Sequence, residues 1–209
     1  MIENKKTVFF DLGNVILYFS HEKMCQQLAL LAHTSHENIE KLLLKSTLAD
    51  MYERGAVSSE QIYKEFCSQF NTKIDIDIFL HAMSDIFDIN EEIISIMMML
   101  KEKGVELIAL SNTCPAHIQF AQKKYPIFEL FDQCIFSYEV GYRKPEKEIF
   151  LHAIAKSSSE IKNCFYTDDI EEYTKTAKEL GLQAHTFTTT KRLLHALIEH
   201  GFLTHTQVV

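Results

Sequence analysis

Three apolar runs in this chain each end in residues that can do chemistry. Asp11 follows Thr7-Val8-Phe9-Phe10 and precedes Leu12-Gly13-Asn14-Val15; Val105-Glu106-Leu107-Ile108-Ala109-Leu110 leads into Ser111-Asn112-Thr113; Cys164-Phe165-Tyr166-Thr167 leads into Asp168-Asp169. A carboxylate projected from a strand end, with Gly-Asn beside it, lets the backbone approach an ion or a phosphate closely. In open parallel sheets ligands collect at the carboxyl ends of the strands, so three such ends can share one site. Taken singly, each cluster has a plain structural alternative. Asp11 suits a turn or a helix N-cap, Asp168-Asp169 suits the positive end of a helix, Ser111-Asn112-Thr113 is good capping chemistry, and Arg143-Lys144 suits a solvated loop. His33 and His36, three apart, have no further ligands near them in sequence and read as a solvated helix end. The methionines at 97–99 read as packing.

The elements that must hold these residues alternate between strand and helix. Residues 91–103 carry Ile93, Ile94, Met97, Met98 and Leu100 at helical spacing, with Asn90 as N-cap and Gly104 as the stop, and a strand follows at once. Pro145 stands where a first helical turn tolerates proline, opening a helix over 146–156; residues 168–180 form another, ending at Gly181 before a strand over 182–187. This repeat predicts an α/β fold, a Rossmann-like doubly wound parallel sheet with helices on both faces. Residues 18–89 break the rhythm with helical spacing and no convincing strand (Met24, Leu28, Leu31; Ile39, Leu42, Leu43; Ile62, Phe66), which predicts an inserted helical cap. The core domain is then 1–17 with 90–209. Both hinges of such a cap lie beside Asp11, where closure would exclude water. A closing amphipathic helix is expected over 191–203 and a frayed end over 204–209.

Composition narrows the function classes. The chain has 209 residues, 46% hydrophobic and 24% charged, enough for a sizeable core. A net charge of -8 argues against nucleic acid and against an anionic membrane surface, both of which call for a basic patch. Five cysteines with no CxxC pair support neither a disulfide framework nor a zinc site and fit a reducing cytoplasm. The longest apolar run, 93–100, is far short of the ~20 residues of a spanning helix, and no signal peptide is evident, so a soluble, unprocessed cytoplasmic protein is expected. Oligomeric state is not legible.

FFDLGNV, LSNT, GYRKPEKEIF and FYTDD, in this order and at these distances, resemble the four motifs of the haloacid dehalogenase superfamily of phosphohydrolases, and they cover the chain from residue 7 to about 185. Within it, DLGNV with LSNT, RKPE and a helical cap is similar to the sugar-phosphate phosphatases typified by α-D-glucose-1-phosphate phosphatase. The resemblance implies an Mg²⁺-dependent phosphatase of a small phosphorylated metabolite. Asp11 would be the nucleophile, forming an aspartyl-phosphate. Asp11, the Gly13 carbonyl and Asp169 would hold Mg²⁺, with Asp168 acting through a metal-bound water. Ser111 and the backbone around Asn112 would bind the phosphoryl group, and Lys144 would neutralise it together with Asp11. For Arg143 the functional and solvated-loop readings stand level. In the cap, Tyr52-Glu53-Arg54-Gly55 resembles a turn that could face the site, Arg54 pairing with a second anionic group.

Two positions depart from the family pattern. The common general acid, an Asp two residues after the nucleophile, is here Gly13, and an Asn after the acidic pair is here Tyr173. General acid-base help is worth ~10²–10⁴-fold, so its loss slows catalysis without abolishing it. An anomeric leaving oxygen, more acidic than an ordinary alcohol, would need less help. Two other readings compete: a metal-independent dehalogenase, against which the Asp168-Asp169 pair argues, and a non-catalytic binding protein in which Gly13 and Tyr173 mark decay.

Overall fold

The computed structural model describes residues 5–204. Its centre is β1 (Thr7–Phe10), wholly buried and flanked on one side by β4 (Glu106–Ser111) and on the other by β6 (Cys164–Asp168). β5 (Gln133–Phe136) and β7 (Gln183–Thr186) complete a five-stranded sheet of order β5-β4-β1-β6-β7, parallel throughout. Residues alternate across the sheet. Val8 and Phe10 pack with α6 (Glu91–Glu102), α7 (Pro115–Lys124) and α11 (Thr190–Glu199). Phe9 faces the opposite layer, made by α9 (Lys147–Lys156), which follows the one-turn α8 (Ser137–Val140), and α10 (Glu171–Glu179). Burying both faces is why these strands are nearly all apolar.

The order of strands puts Asp11, Ser111 and Asp168 at one edge. Asp11 extends the ladder by one bond, its N–H donating to the Thr167 carbonyl at 2.9 Å, and the chain then turns with Asn14 in the left-handed region at φ 53°. Asparagine is one of the few residues besides glycine that takes this conformation readily.

The segment between β1 and α6 is helical, as expected, but it is bracketed by strands that its spacing did not reveal. β2 (Leu17–Phe19) and β3 (Phe87–Ile89) pair antiparallel, Tyr18 opposite Asp88. Between them lie α1 (His21–Ala32), α2 (His36–Leu43), α3 (Thr47–Glu53), α4 (Ser59–Gln69) and α5 (Ile76–Ser84). Local chemistry sets their starts: Ser58 and Gln61 form a reciprocal capping box on α4, and Asp75 accepts from the N–H groups of Asp77 and Ile78 on α5. These helices share a hydrophobic cluster of their own around Leu28, Ile39, Phe66 and Phe79, to which the core contributes Cys114 and Ala116.

Several boundaries move. Pro145 does not open a helix: it follows a cis peptide bond in a loop, and α9 starts at Lys147. Asp168 ends β6, and α10 starts at Glu171. Asn90 is the N-cap residue of α6, but its side chain donates instead to the Val15 carbonyl at 2.8 Å, tying the turn after Asp11 to the far hinge. His33 is a left-handed C-cap and His36 an exposed helix residue beside Glu37, with no third ligand among the described residues. The closing helix is shorter than expected, and from residue 205 on the frayed end falls outside the described residues.

The helical insert is fastened to the loop that carries Lys144. Arg54 donates to Asp50 at 2.9 Å and Glu146 at 2.7 Å, and Arg143 reaches Asp50 at 2.6 Å and Glu53 at 2.7 Å. Arg54, expected to be free for a second anionic group, is thus occupied, and Arg143 is part of the same network rather than a solvated loop residue. Gly55 (φ 69°) makes the closest approach: a Cβ there would lie 2.1 Å from the Tyr138 carbonyl oxygen. Gly55→Ala should therefore destabilise the protein by about 1–3 kcal/mol. Thermal melts would measure the loss, and hydrogen exchange should locate it as faster exchange in α3 than in β1.

Candidate active site

Lys144 is the centre of the site. It is 3% exposed, and its Nζ donates to Asp11 Oδ1 at 2.6 Å, Asp168 Oδ2 at 2.6 Å and the Leu110 carbonyl at 3.0 Å. Three strand ends therefore converge on one ammonium. Its loop is held from β4: Asn112 accepts from the Lys144 N–H at 2.8 Å and donates to the Lys144 carbonyl at 2.9 Å. The Asn112 side chain is thus committed to positioning Lys144, leaving its backbone to face a ligand. The Ser111 hydroxyl, buried, has only a long 3.4 Å contact to the Asn112 carbonyl and is free to serve a guest.

Asp168 is saturated. Lys144 and Tyr166 both donate to its Oδ2, and the Ile170 N–H donates to its Oδ1 at 2.9 Å. Asp169 is less enclosed and accepts one bond, from Asn14 Nδ2 at 3.0 Å. Sequence reasoning assigned no role to Tyr166 or Asn14, although both lie inside the quoted motifs. Tyr173 stands with its ring 5.2 Å from Lys144 Nζ, and Tyr166 with its ring at 5.8 Å, so the ammonium is flanked by two aromatic faces. At Tyr173 an aromatic face thus stands where the family pattern has an amide.

The charges do not balance. Burial pushes the Asp11 carboxyl up to about 7 despite Lys144, and the charges of Asp168 and Asp169 push the same way. Burial also raises Asp169. Burial alone would lower Lys144, but Asp11 and Asp168 outweigh it and hold the ammonium above its usual range. One ammonium among three carboxylates leaves an excess of negative charge in a dry place. Ligand oxygens of Asp11, Asp168 and Asp169 all lie within 4.8 Å of one another. An all-oxygen donor set short of positive charge fits a hard divalent cation such as Mg²⁺.

Gly13 is not an empty position. A Cβ there would lie 2.9 Å from Phe19 Cε1, so the Phe19 ring stands where a side chain at residue 13 would begin.

A model of the haloacid dehalogenase-like hydrolases matches residues 5–181. An uncharacterized protein of Dictyostelium discoideum is 27% identical over 154 residues, 70% of this chain, and the match spans 64% of that protein's length. D-ribitol-5-phosphate phosphatase of Bacteroides thetaiotaomicron is 22% identical over 185 residues, covering 85% of this chain and 89% of its own. In structure, a HAD family enzyme of the same organism, solved in complex with magnesium and inorganic phosphate, superposes with TM-score 0.79 at 23% identity over 88% of this chain and 94% of that one. The sheet order, the helical insert after β1 and the family match agree, and the chain belongs to the haloacid dehalogenase-like hydrolases.

Proposed function

We propose that this hydrolase is an Mg²⁺-dependent phosphatase of a small phosphorylated metabolite, a sugar or polyol phosphate in class, working through an aspartyl-phosphate on Asp11. The observation that carries this reading is Lys144 bonded to both Asp11 and Asp168, with Asp169 within metal-sharing distance of both. Asp11, Asp169 and the Gly13 carbonyl would hold the cation directly, and Asp168, whose oxygens already accept three bonds, would act through a water. Mg²⁺, when bound, would offset the excess carboxylate charge and polarise the phosphoryl oxygens.

Asp11 Oδ attacks phosphorus, and the ester P–O bond breaks with its electron pair on the leaving oxygen; water then attacks the aspartyl-phosphate and the pair returns to the Asp11 carboxylate. Lys144 keeps Asp11 oriented and favours its ionised form against the effect of burial. Ser111 and the Asn112 backbone donate to the phosphoryl oxygens. Residues 18–89 serve as the cap, fastened near the site through Arg54 and Arg143, and shape the space for the leaving group. The cluster of Asp11, Asp168 and Asp169 favours this over a dehalogenase, because a metal-independent enzyme has no use for the extra carboxylates. The ribitol phosphatase among the relatives supports the polyol class.

The test is phosphate release, with and without Mg²⁺, on a panel including glucose 1-phosphate, glucose 6-phosphate and ribitol 5-phosphate. Release that requires Mg²⁺ is expected; metal binding with no release from any member would favour a binding protein. A companion thermal shift should show Mg²⁺ at 100 times its Kd stabilising the wild type by about 2.7 kcal/mol. That shift should largely vanish in Asp169→Asn.

A further inference from the structure

Beside the Ser111-Asn112-Thr113 strand end, between Gly13 and the helical insert, is a cavity of about 100 Å³ whose walls include Gly13, Phe19, His21, Glu53, Ser111 and His117. At ~10–15 Å³ per water it admits several waters or a short hydroxylated chain. The cavity is lined by Leu12 and Gly13, which follow Asp11, and by Ser111, so the leaving group of a phosphate held at Ser111 would have this space before it. The family's usual proton donor would also face this space, and here that side chain is missing.

Three ionisable side chains line the cavity, and two are committed. Glu53 is ion-paired with Arg143 at 2.7 Å. His117 Nε2 donates to the Met83 carbonyl at 3.2 Å, its ring packs edge-on against Phe87, and burial pushes it down to about 4. A histidine so placed holds no spare proton near neutrality. Burial lowers the His21 imidazole as well, but among the described residues His21 has no such hydrogen-bond tie. It is the first residue of α1, separated from β2 by the N-cap Ser20, and its ring packs on Phe19 with centroids 4.9 Å apart. Phe19 is the ring that fills the space over Gly13. The contact of the His21 ring among the described residues is with Phe19, and the residue is exposed to solvent. It can therefore meet a guest in the cavity and exchange protons with solvent.

Resting on the phosphatase reading, we propose that His21 is the general acid and base of this enzyme, in place of the side chain that Gly13 lacks. As the ester P–O bond breaks, the leaving oxygen takes the proton of the His21 imidazolium, giving the free alcohol and neutral His21. Neutral His21 then takes a proton from the water whose oxygen attacks the aspartyl-phosphate. The P–O bond to Asp11 breaks, inorganic phosphate leaves, and His21 is again protonated. Phe19 positions the ring. The arrangement also accounts for Gly13: a larger residue there would displace Phe19 and, with it, His21.

The test compares first-turnover rates for two substrates, p-nitrophenyl phosphate, whose leaving phenolate needs no proton, and ribitol 5-phosphate, whose alkoxide does. In His21→Gln, transfer from the alkyl ester should fall by ~10²–10⁴-fold while the phenolate burst stays within about threefold of wild type, which also shows that the variant is folded. Steady-state turnover of the aryl ester should slow because attack by water loses its base. His21→Asn should repeat the pattern, and imidazole added to His21→Ala should restore part of the alkyl rate. Equal falls for both esters, or no fall for either, would overturn the proposal. A wild type that releases no phenolate in the first turnover and transfers no phosphoryl group from either ester would overturn the phosphatase reading, and this assignment with it.

Discussion

Asp11→Asn is expected to lower Mg²⁺-dependent phosphate release by on the order of 10⁴–10⁶-fold, the scale seen when a covalent nucleophile is removed. The same substitution should make the metal-free protein more stable. Asp11 in the folded protein titrates at about 7, above its ordinary 3.8, because it is buried among other carboxylates. Between about pH 4 and 7 the folded state therefore binds more protons than the unfolded state. Stability falls as pH rises through that window, and above it the full cost of the buried charge is present. Asparagine removes that cost. Denaturation in a chelator should show Asp11→Asn ahead of the wild type at pH 8, by roughly 4 kcal/mol, and level with it near pH 4. Adding Mg²⁺ should close or reverse the gap, since it stabilises the carboxylate form. A nucleophile that is costly to fold is what a stability-activity conflict looks like at one residue.

Lys144→Met should fail in both respects. It keeps roughly the shape of the side chain but leaves Asp11 and Asp168, each 2.6 Å from the lost ammonium, buried without their shared cation. Breaking a buried pair in this way costs about 3–5 kcal/mol. Release of phosphate should fall by on the order of 10²–10³-fold, the range for removing one charge-stabilising donor. The pH dependence follows from the carboxylates. Lys144 itself, raised in the folded state, contributes fully below its unfolded value near ~10.4 and loses its contribution only above that. Across pH 5–8 it stays charged, so the destabilisation of the variant should be largest at pH 8 and shrink toward pH 5 as the unpaired site takes up protons. Urea denaturation at the two pH values measures it; an equal loss at both would mean that packing rather than charge is what Lys144 supplies.

How much of this was legible depended on whether a residue's partner was close in sequence or belonged to a repeated pattern. β1, β4 and β6 were readable because each is a central strand buried on both faces, an unbroken apolar run ending in polar residues. β5 was not, because it lies at the sheet edge and only Ile135 and Phe136 of its four residues are buried. β2 and β3 are three residues each, too short to show alternation, and their central pair, Tyr18 with Asp88, shows no apolar signal. Arg54 was readable as a charge in a turn, but its partners, Asp50 four residues back and Glu146 92 residues away, were not read. Position 13 is the sharpest case. The sequence declares the glycine, but only the fold brings the Phe19 ring over it and His21 into the cavity beside it. Tyr166 was hidden differently: it reads as a strand residue, and its hydroxyl finds Asp168 only because both face the same side of β6.

The central claim, phosphoryl transfer through Asp11, is tested most directly by quenching the protein in acid during turnover with Mg²⁺ and p-nitrophenyl phosphate and mapping its peptides by mass. The expected result is one phosphoryl group on the peptide holding Asp11, absent without Mg²⁺ and absent in Asp11→Asn. Phosphate released at full rate with no phosphoryl group on Asp11, or with one on another residue, would contradict it.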